Sequence, residues 1–344
     1  MINRYTEKGV FIMPGLFDPI NIKGLTLKNR LVMPPMATGM ATEDGGITER
    51  HIKHYTARAK GGVGLIIIEH TYVSEDDKLS RGQPGIYDDK LIPGLRRLVE
   101  AIHAERTKVI IQINHGGAKT SMNITGKQPG GPSEVMLPGA GESPRQLTVS
   151  EISTIVTRFG DAAYRAMEAG FDAVEVHGAH GFLLCQFLSP YSNKRNDEYG
   201  GNLERRLRFP VEIIKQVKLR LRRDVPLFYR FGADDMLDGG LTPEEGKLAA
   251  PYLEQAGVDV IDVSGGIGGD GQRTFTEQGY FVPLAEGIKE MVKVPVIGVG
   301  NITEPEYADR ILRENRVDLV AVGRILLSNP DFPRQAAQKL GIKL

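Results

Sequence analysis

Phe171-Asp172-Ala173-Val174-Glu175-Val176-His177-Gly178-Ala179-His180-Gly181-Phe182-Leu183 reads as a buried strand that runs into a turn carrying two histidines three residues apart. Val174 and Val176 supply β-branched packing, and Gly178 and Gly181 let the chain bend afterwards. A strand that ends in a loop is where α/β proteins keep reactive side chains, because the strand end is rigid and the loop meets solvent. Taken alone, the pair reads equally well as one structural and one surface histidine. The rest of the chain decides between the readings.

Working outward, the pattern recurs. Short apolar runs stand at Arg30–Pro34, Gly64–His70, Lys108–Asn114, Asp172–His177, Val225–Phe231, Val258–Ser264, Val294–Gly300 and Asp318–Gly323. Most are continuous Val/Ile/Leu runs, as in strands covered on both faces. Helical stretches follow near Thr48–Lys60, Ile92–Ala104, Thr148–Ala169, Leu203–Arg222, Thr242–Gln255, Pro283–Met291, Glu304–Arg313 and Asp331–Lys339. Thr148-Val149-Ser150-Glu151, Thr242-Pro243-Glu244-Glu245 and Thr303-Glu304-Pro305-Glu306 fit capping boxes. Pro243 sits where a first helical residue belongs, and Gly61-Gly62, Gly170 and Gly257 are stop signals.

Eight strand–helix units predict an α/β fold, a (β/α)8 TIM barrel. A doubly wound sheet is the alternative; it rarely reaches eight regular units, and no early G-x-G-x-x-G opens a helix here. Val10–Lys28 holds two turn signals and is expected to form an N-terminal hairpin closing the barrel bottom. His115–Gln146 is too long for an ordinary βα loop and is expected to rise over the C-terminal face as a lid. No linker, repeat or low-complexity tract intervenes, so residues 1–344 read as a single domain.

Forty-three basic residues offset 43 acidic ones, so nothing points to nucleic acid or an anionic membrane as a partner. One cysteine, Cys185, excludes an internal disulfide and a cysteine-held iron–sulfur cluster, and suggests a reducing compartment. It sits in an apolar helix start and reads as a small core residue. Met1–Lys8 lacks the apolar core of a signal peptide, and no run approaches the roughly 18 apolar residues of a membrane span. The expectation is a soluble cytoplasmic enzyme, with oligomeric state open and a homo-oligomer among the options. Asp76-Asp77 and Asp234-Asp235 read as solvated turn residues, and Arg205-Arg206 and Arg222-Arg223 as helix-surface charges.

Glycines at the ends of the seventh and eighth strands, Gly300-Asn301 and Gly323-Arg324, mark an anion site of the kind TIM barrels place there. Arginine adds charge and a fork of donors. A zinc site is the rival reading of the two histidines, but no third ligand stands at a telling spacing.

Several segments together resemble the Old Yellow Enzyme family of FMN-dependent ene-reductases. They are Leu27–Met36, Ile111–Gly117, His177-x-x-His180, Gln186–Pro190, Asn193–Arg206 and Val322-Gly323-Arg324, in the family's order over nearly the whole chain. The resemblance implies a TIM barrel with FMN at its C-terminal mouth and NADH or NADPH as electron donor. It implies that Pro34, Pro35, Met36, Ala37 and His70 lie along the flavin. Gln112 would pair with the ring edge, and Arg230 would favour the reduced, anionic ring. His177 and His180 would donate hydrogen bonds to the carbonyl oxygen of an α,β-unsaturated substrate, as an oxyanion hole does.

The chain departs from the family pattern in four places. Phe182 stands where relatives have the proton-donating tyrosine, so Tyr72, Tyr191, His70 or water would have to supply that proton. Phe182 and Tyr72 are thus the expected substrate-side residues, with Phe182 stacking on a flat substrate. Ala37 replaces a threonine or cysteine that tunes the flavin, unless Thr38 compensates. Ala118 and Lys119 replace an arginine after His115-Gly116-Gly117. The chain also looks like a short form, without the cluster-bearing extension of some relatives. Alternatives kept open are a dehydrogenase or reductase of a larger cyclic or acyl substrate, a flavin protein without turnover, and a flavin-free lyase or isomerase.

Overall fold

The computed structural model describes residues 13–269 and 275–343. Met1–Lys8, Val10–Ile12 of the expected hairpin and residues 270–274 lie outside them. Eight parallel strands close into a barrel: β1 (Leu31–Met33), β2 (Leu65–Tyr72), β3 (Lys108–Asn114), β4 (Ala173–Gly178), β5 (Leu227–Gly232), β6 (Val260–Ser264), β7 (Val296–Gly298) and β8 (Leu319–Ala321). Each pairs with its neighbours in sequence, and β8 returns to β1 through Val320↔Leu31 and Ala321↔Val32. Closure leaves the barrel without a free strand edge.

The outer helices are α1 (Glu49–Gly61), α2 (Ile92–His103), α3 (Val149–Ala169), α4 (Leu203–Arg220), α5 (Pro243–Ala256), α6 (Val282–Lys289), α7 (Pro305–Arg313) and α8 (Phe332–Lys339). Their apolar faces cover strands buried on both sides, which is why the strands show Val/Ile runs and not alternation. β1, β7 and β8 are shorter than their apolar runs. Pro34 and Pro295 have no N–H for the ladder, and Gly300 leaves the extended region at φ +126°.

Helix ends follow side-chain chemistry. The Thr148 hydroxyl accepts from the Glu151 N–H (3.2 Å) while Glu151 Oε2 accepts from the Thr148 N–H (2.8 Å). Thr242 caps α5 through the Glu245 N–H. The third expected box fails: α7 has Glu304 as its cap residue, without a side-chain bond. Gln278 Oε1 takes the N–H groups of both Thr303 and Glu304 at 3.0 Å, so the Thr303 N–H is not left for the Glu306 side chain. At α1 an unforeseen box pairs Thr48 with His51.

The hairpin forms at Ile20–Ile22 and Leu25–Leu27, turned by Lys23 and Gly24 at φ 46° and 89°. Lys23 Nζ meets Asp259 (2.9 Å), just before β6, and Lys28 Nζ meets Thr107 (3.0 Å), just before β3. These contacts place it across the N-terminal end of the barrel.

Three acidic or basic pairs are not simple surface charge. Asp77 and Asp235 are fully buried, and Asp235 accepts from the N–H groups of Leu241 (2.7 Å) and Ile267 (3.0 Å). Arg206 is buried on the Leu188 carbonyl (2.8 Å) and Glu245 (2.6 Å). A polar residue that ties a loop to the barrel looks, in sequence, like one that faces water.

The long segment after β3 carries a short 3-10 turn (Gly117–Lys119), one helical turn (Met122–Thr125) and a two-residue ladder between Gly130–Gly131 and Arg145–Gln146. Arg195 pins it: Nη1 donates to the Pro132 carbonyl (3.1 Å) and the Leu147 carbonyl (2.6 Å), and the side chain is buried. Asn193, two residues before Arg195, braces the segment after β4 by donating to the Phe187 and Tyr199 carbonyls.

Candidate active site

A cavity of about 430 Å³ opens at the C-terminal mouth of the barrel. Pro34, Pro35, Met36 and Ala37 leave β1 along one wall; His70 comes from β2, Gln112 from β3 and Arg230 from β5. His177, His180 and Phe182 come from β4 and its turn, Asn301 from the β7 loop, and Gly323 and Arg324 from the β8 loop. Gly300 does not itself line the cavity, although Val299 and Asn301 beside it do. Its φ and the backbone N atoms of Tyr280 and Phe281, both 2.9 Å from where a Cβ would stand, require glycine.

Tyr72 is corrected. It is buried beyond the cavity, stacked on Tyr87 at 5.3 Å and packed at Gly45 and Gly85. Tyr191 packs on a small apolar cluster with Leu137, Cys185 and Ile267. Thr38 does not stand in for Ala37, because its hydroxyl and N–H both bond Glu69, at 2.5 and 2.7 Å. Lys119 closes on the histidine turn: Nζ donates to the His180 carbonyl (2.9 Å) and lies 5.0 Å over the Phe182 ring.

The two histidines stand edge to face, 5.2 Å apart. The Ala179 N–H donates to His177 Nδ1 (3.4 Å), which puts the proton of the neutral ring on Nε2. Burial, then His180, pushes the His177 pKa well down, so the ring is neutral near pH 7. His180 sits in the left-handed region (φ 55°), its N–H bonded to the Gly265 carbonyl and its Nε2 2.7 Å from the Ser264 hydroxyl. Gln83 Nε2, from the loop after β2, donates to Nδ1 of His70 at 2.8 Å. Ser264, Tyr280, Phe281 and Thr303 also line the cavity, and the sequence reading does not single them out. Ser264 ends β6, a position that a strand-end rule could have flagged.

The donor set fits a flavin mononucleotide. Gln112 and Arg230 offer an amide and a guanidinium at one edge, and the buried Arg230 Nε has no partner. The Pro34–Met36 wall offers an apolar face. At the opposite end Gly323 admits close approach, since a Cβ there would stand 2.9 Å from Met36 Sδ. Arg324 and the first N–H groups of the Arg324–Ser328 turn supply anion donors. Among the described residues no group of three or more His, Cys, Asp or Glu side chains could hold a metal ion, and no helix is long and apolar enough to cross a membrane.

Comparison with known proteins agrees with this geometry. The profile of the NADH:flavin oxidoreductase / NADH oxidase family matches residues 15–342. The chain is 48% identical over 332 residues to an NADH oxidase of Thermoanaerobacter brockii, covering 94% of this chain and 51% of that protein. It thus spans about half the length of that relative. It is 41% identical to an NADPH dehydrogenase of Clostridium acetobutylicum, covering 96% of each. Among solved structures, a 2-naphthoyl-CoA reductase in complex with 2-naphthoyl-CoA superposes with TM-score 0.90 at 29% identity (94% of this chain, 52% of that one). An old yellow enzyme homologue from Zymomonas mobilis superposes with TM-score 0.85 at 30% identity (96% and 94%). The chain belongs to the NADH:flavin oxidoreductase / NADH oxidase family, the Old Yellow Enzyme family, whose cofactor is FMN.

Proposed function

We propose that this chain is a single FMN-binding domain that oxidises NADH or NADPH and reduces the C=C bond of an α,β-unsaturated carbonyl compound. FMN, when bound, would supply the hydride chemistry that links NAD(P)H oxidation to reduction of the β-carbon. Arg230 and Gln112 would hold one edge of the cofactor, Pro34–Ala37 and His70 would flank it, and Arg324 with the Asn301 and Gly323 turns would take its phosphate. His177 Nε2–H and His180 then meet the substrate's carbonyl oxygen, where negative charge gathers as hydride arrives. The observation that carries this reading is His177 on the cavity wall with its Nδ1 taken by the Ala179 N–H, which leaves Nε2 as the ring's donor.

Phe182 gives no proton, so the α-carbon is protonated from water or by another group. That feature favours a second reading, a larger, flat cyclic or acyl substrate, because Phe182 lies between His177 and His70 with centroids 4.3 and 5.4 Å away. Likeness to a reductase seen with 2-naphthoyl-CoA supports it. The single buried thiol, Cys185, fits a cytoplasmic location. The test is anaerobic: reduce the purified holoprotein with NADPH, mix it with 2-cyclohexenone, and follow the visible flavin band. Fast return of the yellow colour with cyclohexanone formed supports simple enone reduction. A band that stays bleached with cyclohexenone but returns with an aromatic acyl thioester favours the second reading.

A further inference from the structure

The floor of the cavity holds more acid than it can neutralise. Glu175 on β4 and Asp262 on β6 are both fully buried, and one guanidinium, that of Arg230 on β5, serves them. Arg230 Nη1 donates to Asp262 Oδ2 at 2.8 Å. Glu175 Oε2 accepts from Gln112 Nε2 at 3.3 Å. Glu175 Oε1, Asp262 Oδ1 and Arg230 Nε have no hydrogen-bond partner. Gln112 and Arg230 line the cavity; the two acids stand behind them and do not.

We propose that Glu175 and Asp262 are a paired set of positioning residues that share the charge of Arg230, so that near pH 7 only one of them is ionised and the edge offered to the flavin stays near neutral. The proposal rests on the reading of Gln112 and Arg230 as the flavin-facing pair. A buried carboxylate without its own cation is costly, and two side by side are costlier. Burial, and then the charge of Asp262, pushes Glu175 well up; burial raises Asp262 and Arg230 draws it back down. The resting cluster is therefore an Arg230–Asp262 ion pair beside a neutral Glu175. The groups around Glu175 are the Gln112 amide from β3, Arg230 from β5, Asp262 from β6 and neutral His177 two residues along its own strand. Reduction adds negative charge at this edge. A neutral Glu175 leaves it unopposed, and an ionised one repels it.

Sharing has a signature that independent structural roles lack. Losing one acid lets the other hold the ion pair, while losing both leaves Arg230 unpaired. Glu175→Gln and Asp262→Asn, alone and together, are loaded with FMN and titrated with sulfite, whose reversible bleaching of the flavin strengthens with positive charge near the ring. Each single variant is expected to stay within about threefold of the wild-type sulfite Kd, and the double variant to bind at least tenfold more tightly, a non-additive cycle. Potentiometry provides the second readout. The wild-type potential should bend downward with rising pH where Glu175 ionises, and Glu175→Gln should lose the bend. An additive cycle, a double variant no tighter than wild type, or a Glu175→Gln curve that keeps the bend would overturn the proposal. If the Asp262 variants do not take up FMN, the Glu175→Gln curve decides. Neither readout uses an alkene or NAD(P)H, so failure of the enone assignment leaves this test intact.

Discussion

The phenyl ring of Phe182 lies 4.3 Å from the imidazole of His177, tilted by 37°. Phe182 lines the cavity beside His177, the proposed carbonyl-binding group, and a hydroxyl on that ring would give this wall a proton donor. Phe182→Tyr should therefore speed reoxidation of the NADPH-reduced protein by cyclohexenone about tenfold or more, within the roughly 10²–10⁴-fold range of a placed general acid. Stopped-flow absorbance under nitrogen reads it. An unchanged rate means that proton delivery does not limit the step.

Removing His177 tests the carbonyl-binding role. His177→Ala should slow reoxidation by an alkene about 10²–10³-fold, the usual loss of an oxyanion donor. Its FMN content and its reduction by NADPH should stay within a few-fold of wild type. Because the folded His177 is held far below its usual pKa, it stays neutral as pH falls from 8 to 6. The alkene half-reaction should then show no inflection in that window that disappears in the variant; finding one would assign a protonated His177 and contradict the site.

Gly300 lies at φ +126° with two backbone nitrogens 2.9 Å from any added Cβ. Gly300→Ala carries backbone strain of about 1–3 kcal/mol and shifts the Asn301 turn. FMN should bind at least tenfold more weakly by fluorescence titration, with Tm lowered. Retained affinity would mean that the phosphate does not use this turn.

Glu151 joins the α3 cap to Arg145, and Arg145 and the Thr148 N–H hold its pKa down to about 2. The unfolded value is about 4.3. A depressed folded pKa gives stability that is present above the unfolded value and lost as pH falls towards 2. The side chain is partly exposed, so the cap is worth about 1 kcal/mol. Glu151→Gln should lower stability in urea at pH 7, and the gap to wild type should narrow at pH 3. A gap equal at both pH values would show that the carboxylate charge is irrelevant.

The barrel was legible because each strand is a continuous Val/Ile/Leu run, and the helices because Thr148, Thr242, Gly170 and Gly257 mark their ends chemically. Thr303 misled because Gln278 takes its N–H, the group the box assigns to the Glu306 side chain, and the helix is capped one residue later at Glu304. The cavity wall was legible through the family resemblance, residue by residue. Tyr72 was misplaced because strand alternation says which way a side chain faces but not how far the strand overshoots the cavity. Glu175 and Asp262 carry no local signal beyond polarity inside an apolar strand, and Ser264 only its place at a strand end. What they do depends on neighbours from other strands, which only closure of the barrel brings together.

Arg195 grips the Pro132 and Leu147 carbonyls, the two ends of a segment whose middle is turned by Gly139 and shows Met136 half exposed. Leu137–Ala140 also lines a small cleft with His180 and Lys119. Anchors and rim are thus separate parts of one loop. Exchanging residues 134–143 between homologues with the buried Leu137 kept, or diversifying them in a library, is therefore expected to change which molecules reach His180 while the barrel is left as it stands.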